Sequence, residues 1–268
     1  MSIKMIVTDI DDTLLTSDHM ISEKTKRALL DAQDQGIRVV LASGRPVPAM
    51  TAFAEELGLD RYGSYLISYN GAVIWDCANG TTVFEQKLSN ETLVKLYEIS
   101  ERENVYIHTY SDTSIITDEV CEHTEFESRL TGMPIETVDD FTGTVQGDVI
   151  KAMLLDEPTR LREVHDTLAD WAKERVSMTI SKPFFLEFMH KDVDKGATLH
   201  RLAAMLGIDK DEIVAFGDSY NDMTMLEYAG TGVAMGNAKE DVKRIADCVT
   251  SGNDADGIAE WLSRRNGL

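Results

Sequence analysis

The 268-residue chain has three cysteines, and they lie far apart at Cys77, Cys121 and Cys248. No C-x-x-C pair occurs. That argues against a disulfide framework and a zinc site, and it fits a reducing compartment. The six histidines are scattered without metal-ligand spacing. No stretch approaches the roughly 18 uncharged apolar residues that would span a membrane. The opening residues, Met1 to Val7, meet the charge of Asp9 too soon for a signal peptide, so a cytoplasmic location is expected. Internal repeats, low-complexity tracts and long linkers are lacking. Bases are scarce: 26 Lys and Arg stand against 47 Asp and Glu, leaving a net charge of −21. DNA, RNA and anionic membranes bind basic surfaces, so none is an expected partner. The sequence leaves the oligomeric state open.

What remains is an apolar content of 43%, ample for a chain long enough to bury roughly three quarters of its surface. Length alone predicts just under two domains. Residues 3–8 read as a short buried strand ending at Asp9. Ser22 then caps a helix through Ala28, Leu29 and Ala32, which Gly36 stops. A second strand over Ile37–Ala42 ends at Ser43-Gly44-Arg45-Pro46. A helix is expected up to Gly58, then a third strand at Tyr65–Tyr69. Strands alternating with helices predict parallel βαβ units.

The middle of the chain has another rhythm. Strand-like runs at 105–110, 114–117, 149–155, 176–180 and 184–189 mix with helical stretches at 89–103 and 158–173. In the last, Leu161, Val164, Leu168 and Trp171 line one face. After Lys195-Gly196 the first rhythm returns. Leu199, Leu202, Ala203 and Leu206 form an i, i+3, i+4, i+7 stripe, and Gly207 is the stop. A strand at Ile213–Phe216 ends in Gly217-Asp218, a helix carries Met223 and Leu226, and a strand follows at Gly232–Met235. The fold class expected is α/β, a Rossmann-like core with a parallel sheet plus an inserted α+β domain. The core would comprise about 1–82 and 194–268, and the insert about 83–193.

Open parallel sheets bind ligands beyond the carboxyl ends of their strands. Four polar clusters fall at or beside those ends: Asp9-Ile10-Asp11-Asp12-Thr13, Ser43-Gly44, Lys195 and Gly217-Asp218-Ser219-Tyr220-Asn221-Asp222. Packing requires no acids there. Their order, D-x-D-x-T, a hydroxyl, a Lys and G-D-x-x-N-D, resembles the motif set of the haloacid dehalogenase superfamily. The insert, placed between the second and third motifs, resembles the large C2 cap of its Cof-type phosphatases. Asp9–Leu15, Ser43–Pro46, Tyr69–Gly71, Phe185–Phe188, Asp194–Gly196 and Gly217–Asp222 resemble the bacterial sugar phosphatases of that group.

The resemblance implies Mg²⁺-dependent hydrolysis of a small phosphate ester, most of all a sugar phosphate. Asp9 would attack phosphorus to form an aspartyl-phosphate, and Asp11 would serve as general acid and base. Mg²⁺ would contact the Asp9 and Asp218 carboxylates and the Asp11 carbonyl, while Asp222 holds its water shell or orients its ligands. Ile10 N–H, Ser43, Gly44 N–H, Lys195 and Asn221 would hold the phosphoryl oxygens. Electrostatics agree. Two like charges 4 Å apart repel by roughly 4 kcal/mol at an effective dielectric of 20, so a phosphate among these acids needs a divalent cation. The alternatives are a phosphomutase of the same superfamily and a non-catalytic phosphate-responsive regulator, although the regulator lacks the D-x-D spacing and an inserted cap.

Other conspicuous residues read as structural. Met223 and Met225 fill the core, Glu98, Glu101 and Glu103 make a solvated helix face, and His108 and His190 read first as packed or surface residues, with entry into the substrate pocket from the insert as the alternative. The run returning to the core, with Phe184, Phe185 and Glu187, either helps shape the pocket or simply holds Phe185 and Phe188 as buried strand residues. Relatives usually carry Gly where Asp12 stands, which predicts positive φ there and an extra negative charge beside the site.

Overall fold

The first apolar run forms β1 (Met5–Thr8), buried along its whole length, as a strand inside a parallel sheet must be. In the computed structural model, residues 2–264 are described. The outermost positions of the expected core, residue 1 and residues 265–268, lie outside them. In α1 (Glu23–Asp34) the Ser22 hydroxyl accepts from Thr25 N–H at 3.1 Å, and Leu29 and Ala32 are buried. Next comes β2 (Arg38–Ala42). The helix expected up to Gly58 is broken: a 3₁₀ turn at Val47–Ala49 precedes a short α2 (Thr51–Glu56). Then come β3 (Tyr65–Ser68), β4 (Val73–Asp76) and β5 (Thr81–Glu85).

The insert follows with α3 (Asn90–Glu103), β6 (Tyr106–Tyr110), β7 (Ile115–Thr117), α4 (Glu122–Thr131), β8 (Ile135–Thr137), α5 (Phe141–Thr144), β9 (Ala152–Leu155), α6 (Pro158–Ala172), β10 (Val176–Lys182) and β11 (Phe185–His190). The chain resumes with α7 (Lys195–Leu206), β12 (Ile213–Gly217), α8 (Met223–Tyr228), β13 (Thr231–Ala234), α9 (Glu240–Ile245), β14 (Cys248–Val249) and α10 (Gly257–Ser263).

Two compact units result. One contains the residues up to Phe84 and from Asp194 onward, and the other is Glu85–Val193. The first holds a sheet in the order β14-β13-β12-β1-β2-β3-β4-β5, parallel from β14 to β3 and turned antiparallel at β4. Its core includes Ile6, Val40, Leu199, Leu202 and Phe216. The second holds a mixed sheet, β10-β11-β9-β6-β7-β8, in which only the β7–β8 pair among the described pairings is parallel. Leu161, Val164 and Leu168 of α6 pack with Leu93, Leu96, Leu154 and Leu186. The α/β class with an α+β insert is therefore what the chain adopts. No helix of the described residues is long and apolar enough to cross a membrane.

Within the insert, Glu103 departs from the expected solvated face. It pairs with Arg160 of α6 at 2.9 Å and is only 17% exposed, whereas Glu98 is 59% exposed. His108 is fully buried.

Candidate active site

Strand order places the acids together. The chain leaves β1 to build the sheet on the β2 side and returns to build it on the β12 side. The end of β1 is thus the point where connections diverge, the place where such sheets form a crevice. Thr8 pairs with Phe216, so Asp9 and Asp218 emerge beside each other at the carboxyl ends of adjacent strands. The backbone then turns sharply. Asp11 is extended, and Asp12 is left-handed at φ 59°, the positive φ that a usual Gly at this position predicts.

Two glycines allow the close approach of the remaining groups. A Cβ on Gly217 would lie 2.5 Å from that of Asp222, whose side chain folds back over the strand end. A Cβ on Gly196 would lie 2.3 Å from the Thr224 carbonyl oxygen. The start of α7 therefore packs tightly on α8, with Lys195 as its first residue.

Lys195 is fully buried and donates to Asp9 Oδ1 at 2.6 Å and Asp222 Oδ1 at 2.7 Å. Asp222 Oδ2 accepts from the N–H groups of Asp218 and Ser219 at 3.0 and 2.9 Å. Both oxygens of Asp222 are thus engaged, as suits a residue that orients its neighbours. Thr13 donates its hydroxyl to Asp218 Oδ1 at 2.6 Å. Burial works to deprotonate Lys195, but Asp222 and Asp9 outweigh it and hold its pKa above the ordinary value. Burial, with Asp222 and Asp218 beside it, pushes Asp9 well above the usual carboxylate range against the pull of Lys195. Burial likewise raises Asp218 to about 6, helped by Asp222 and Asp12 and opposed by Thr13.

These values describe a site with too little positive charge. Asp9, Asp218 and Asp222 each offer an oxygen within 4.8 Å of the others, and all three are buried. One ammonium faces three carboxylates. Asp9 Oδ2 and Asp218 Oδ2 carry no hydrogen bond among the described residues. All-oxygen donors with excess negative charge suit a hard divalent ion, so the residues present fit Mg²⁺.

Ser43 is buried at the end of β2, its hydroxyl accepting from Arg45 N–H at 3.2 Å. Gly44 lies against the Asn70 side chain. Asn221 donates its amide to Asn70 Oδ1 at 3.0 Å. Asn70, left-handed at φ 53°, therefore ties the second cluster to the fourth.

Two residues were missed as site members. Asn70 is one, and Arg45 is the other. Arg45 grips Asp11 with both arms, Nη2 to Oδ1 at 2.7 Å and Nε to Oδ2 at 2.9 Å. Each lies within a stretch that carries the family resemblance, Ser43–Pro46 or Tyr69–Gly71, and no other sequence signal marks it. Such a two-armed grip is the geometry in which a guanidinium fixes the position of a carboxylate.

A family model described as haloacid dehalogenase-like hydrolase matches residues 6–262. The 5-amino-6-(5-phospho-D-ribitylamino)uracil phosphatase YcsE of Bacillus subtilis (strain 168) is 31% identical over 97% of this chain and 94% of its own. The crystal structure of a haloacid dehalogenase-like hydrolase from Bacteroides thetaiotaomicron superposes with a TM-score of 0.91 at 36% identity, covering 98% of this chain and 99% of that one. The subclass IIB sugar phosphatase BT4131 superposes with a TM-score of 0.82 at 26% identity, covering 97% and 98%.

Proposed function

The chain belongs to the haloacid dehalogenase-like hydrolase family, and from that premise we propose that it hydrolyses sugar phosphates through an aspartyl-phosphate on Asp9. The coarser activity, phosphomonoester hydrolysis, follows from the family and its phosphatase relatives. The observation that carries the aspartyl-phosphate route is the buried constellation of Asp9, Asp218, Asp222 and Lys195 beside a half-exposed Asp11.

Asp9 Oδ attacks phosphorus and the bond to the leaving oxygen breaks. Asp11 gives that oxygen its proton. Water then attacks the same phosphorus, Asp11 takes the water's proton, and the Asp9 carboxylate is regenerated as inorganic phosphate leaves. Lys195, Ser43 and the N–H groups of Ile10 and Gly44 hold the phosphoryl oxygens as charge gathers on them. Lys195 also fixes Asp9 in place, and Asp222 fixes Lys195. Mg²⁺, held by the Asp9 and Asp218 carboxylates and the Asp11 carbonyl, would supply the positive charge that lets a phosphate dianion approach these acids. Asn221 serves in this reading as a further phosphate contact, and its hydrogen bond to Asn70 supports a fixed amide there.

The substrate class rests on two relatives. BT4131 is a sugar phosphatase, and YcsE acts on a phosphoribityl compound. Both names point to a phosphate on a polyhydroxylated carbon chain. The test is a phosphate-release screen with Mg²⁺ across sugar phosphates, phosphorylated polyols, nucleotides and pyridoxal phosphate. The expected result is preferred turnover of sugar phosphates, lost in Asp9→Asn. Near-parental activity of Asp9→Asn removes the nucleophile assignment. Isomerised sugar phosphate without phosphate release makes the protein a mutase.

A further inference from the structure

Three side chains of metal-ligating type converge within the insert. Glu122 and His123 are the first two residues of α4, and Glu157 directly precedes α6. One ligand atom from each lies within 4.8 Å of the others. Glu157 stands at the N-cap position of α6, yet its carboxylate caps no N–H there. No hydrogen bond or ion pair engages these three side chains among the described residues. The imidazole is nonetheless fixed in orientation. It stacks on Phe184 with ring centroids 4.7 Å apart and planes 9° from parallel, which leaves its nitrogen-bearing edge free of the stack.

The two carboxylates repel each other at this range, and a cation between them would relieve that repulsion. The same segments carry more acids. Asp118 and Glu119 precede α4 and Asp156 precedes Glu157, and with Glu101 these acids line a cavity of about 440 Å³. An imidazole nitrogen with two carboxylates is a donor set for borderline first-row ions rather than for Mg²⁺, which prefers oxygen alone. We propose that Glu122, His123 and Glu157 form a second divalent-ion site that takes Zn²⁺ or a similar first-row ion. Three protein ligands leave a coordination position for water. Both carboxylates are exposed, so the ion exchanges freely with solvent. Its binding ties the start of α4 to the start of α6.

Equilibrium dialysis of the full-length protein against Zn²⁺, with bound metal counted per chain, tests this. The active-site acids can also take Zn²⁺, so Asp218→Asn serves as the control for that ion. The expected result is two ions per parental chain, with affinity for one falling roughly tenfold or more in His123→Ala and in Glu157→Gln. The other ion is lost in Asp218→Asn. Both insert substitutions fall at partly or fully exposed positions, and circular dichroism verifies the fold of each variant. Parental Zn²⁺ binding in His123→Ala and Glu157→Gln overturns the proposal. So does a parental chain whose bound Zn²⁺ vanishes entirely in Asp218→Asn.

Discussion

Replacing His108 with Gln measures how much acid sensitivity one buried imidazole builds into the insert. His108 lies on β6 with no exposed surface. Its Nδ1 has no partner, and its Nε2 lies 3.3 Å from both Met153 Sδ and Tyr110 Oη. Burial, and then the nearby charge of Lys151, depress its pKa from 6.5 to about 3. Between those values the unfolded chain binds a proton that the folded chain refuses. The contribution to stability is therefore whole above pH 6.5 and is lost as pH falls toward 3. Each pH unit in that window is worth about 1.4 kcal/mol, so at pH 5 the imidazole costs about 2 kcal/mol. Gln does not titrate. Urea unfolding of parent and His108→Gln at pH 7.5 and pH 5 gives a double difference in which any packing change cancels. Glu127 and Glu187, the buried acids of the same region, are common to both proteins. The insert contains Trp171, and the other tryptophans, Trp75 and Trp261, belong to the other unit. A Trp75→Phe/Trp261→Phe background thus reports on the insert itself. The expected double difference is about 2 kcal/mol in favour of the variant at pH 5. A value below about 0.5 kcal/mol, within ordinary mutational noise, refutes the reasoning.

Lys195→Met strands Asp9 and Asp222 without their buried cation, so urea unfolding in EDTA should show a loss of about 3–5 kcal/mol, with turnover abolished. Gly196→Ala drives a methyl into the Thr224 carbonyl; thermal unfolding should register a loss of about 1–3 kcal/mol, and a parental midpoint would mean that the helix start has slack. Arg45→Met frees Asp11, whose side chain is 47% exposed, by removing a guanidinium that is only 13% exposed; stability should fall by about 1–3 kcal/mol, while kcat falls tenfold or more in a steady-state phosphatase assay as the Asp11 carboxyl loses its fixed position. Asp12→Gly removes an exposed charge from a left-handed position; turnover should persist, and Mg²⁺ half-saturation should shift by no more than about fivefold, the equivalent of a screened surface charge.

The legible parts of this chain are those whose signals are local. Ser22 could be read as a cap because its partner is Thr25, three residues away. The Leu199, Leu202 and Ala203 stripe could be read because burial repeats at helical spacing. The four acid and hydroxyl clusters could be placed because each follows a short apolar run or opens a helix. Helix α4 could not be read so, because the residues it buries are Thr124, Glu127 and Thr131. A polar buried face leaves no apolar stripe. Glu127 is satisfied by the Tyr110 hydroxyl at 2.6 Å, 17 residues away along the chain, and no pattern announces it. The roles of Arg45 and Glu103 were hidden for the same reason. Their partners, Asp11 and Arg160, are 34 and 57 residues distant.

The two buried lysines of the described chain show how a structural ion pair differs from a poised one. Lys151 lies 3.3 Å from Glu187 and 5.0 Å from the centroid of the Tyr110 ring, and its carboxylate partner also accepts from Ser181 at 2.7 Å. Lys195 instead contacts two carboxylates, with Asp218 as a third acid in the same cluster. Packing offers no reason for that surplus, since replacing buried charge by apolar side chains commonly stabilises a fold. The surplus persists because the register of β1 on β12 sets Asp9 beside Asp218, and the capping contacts of Asp222 lock the third acid above them. A chain with a net charge of −21 gains no solubility from acids hidden at strand ends. Their concentration around one ammonium is therefore a surplus of negative charge that fits a hard divalent cation as its counter-charge.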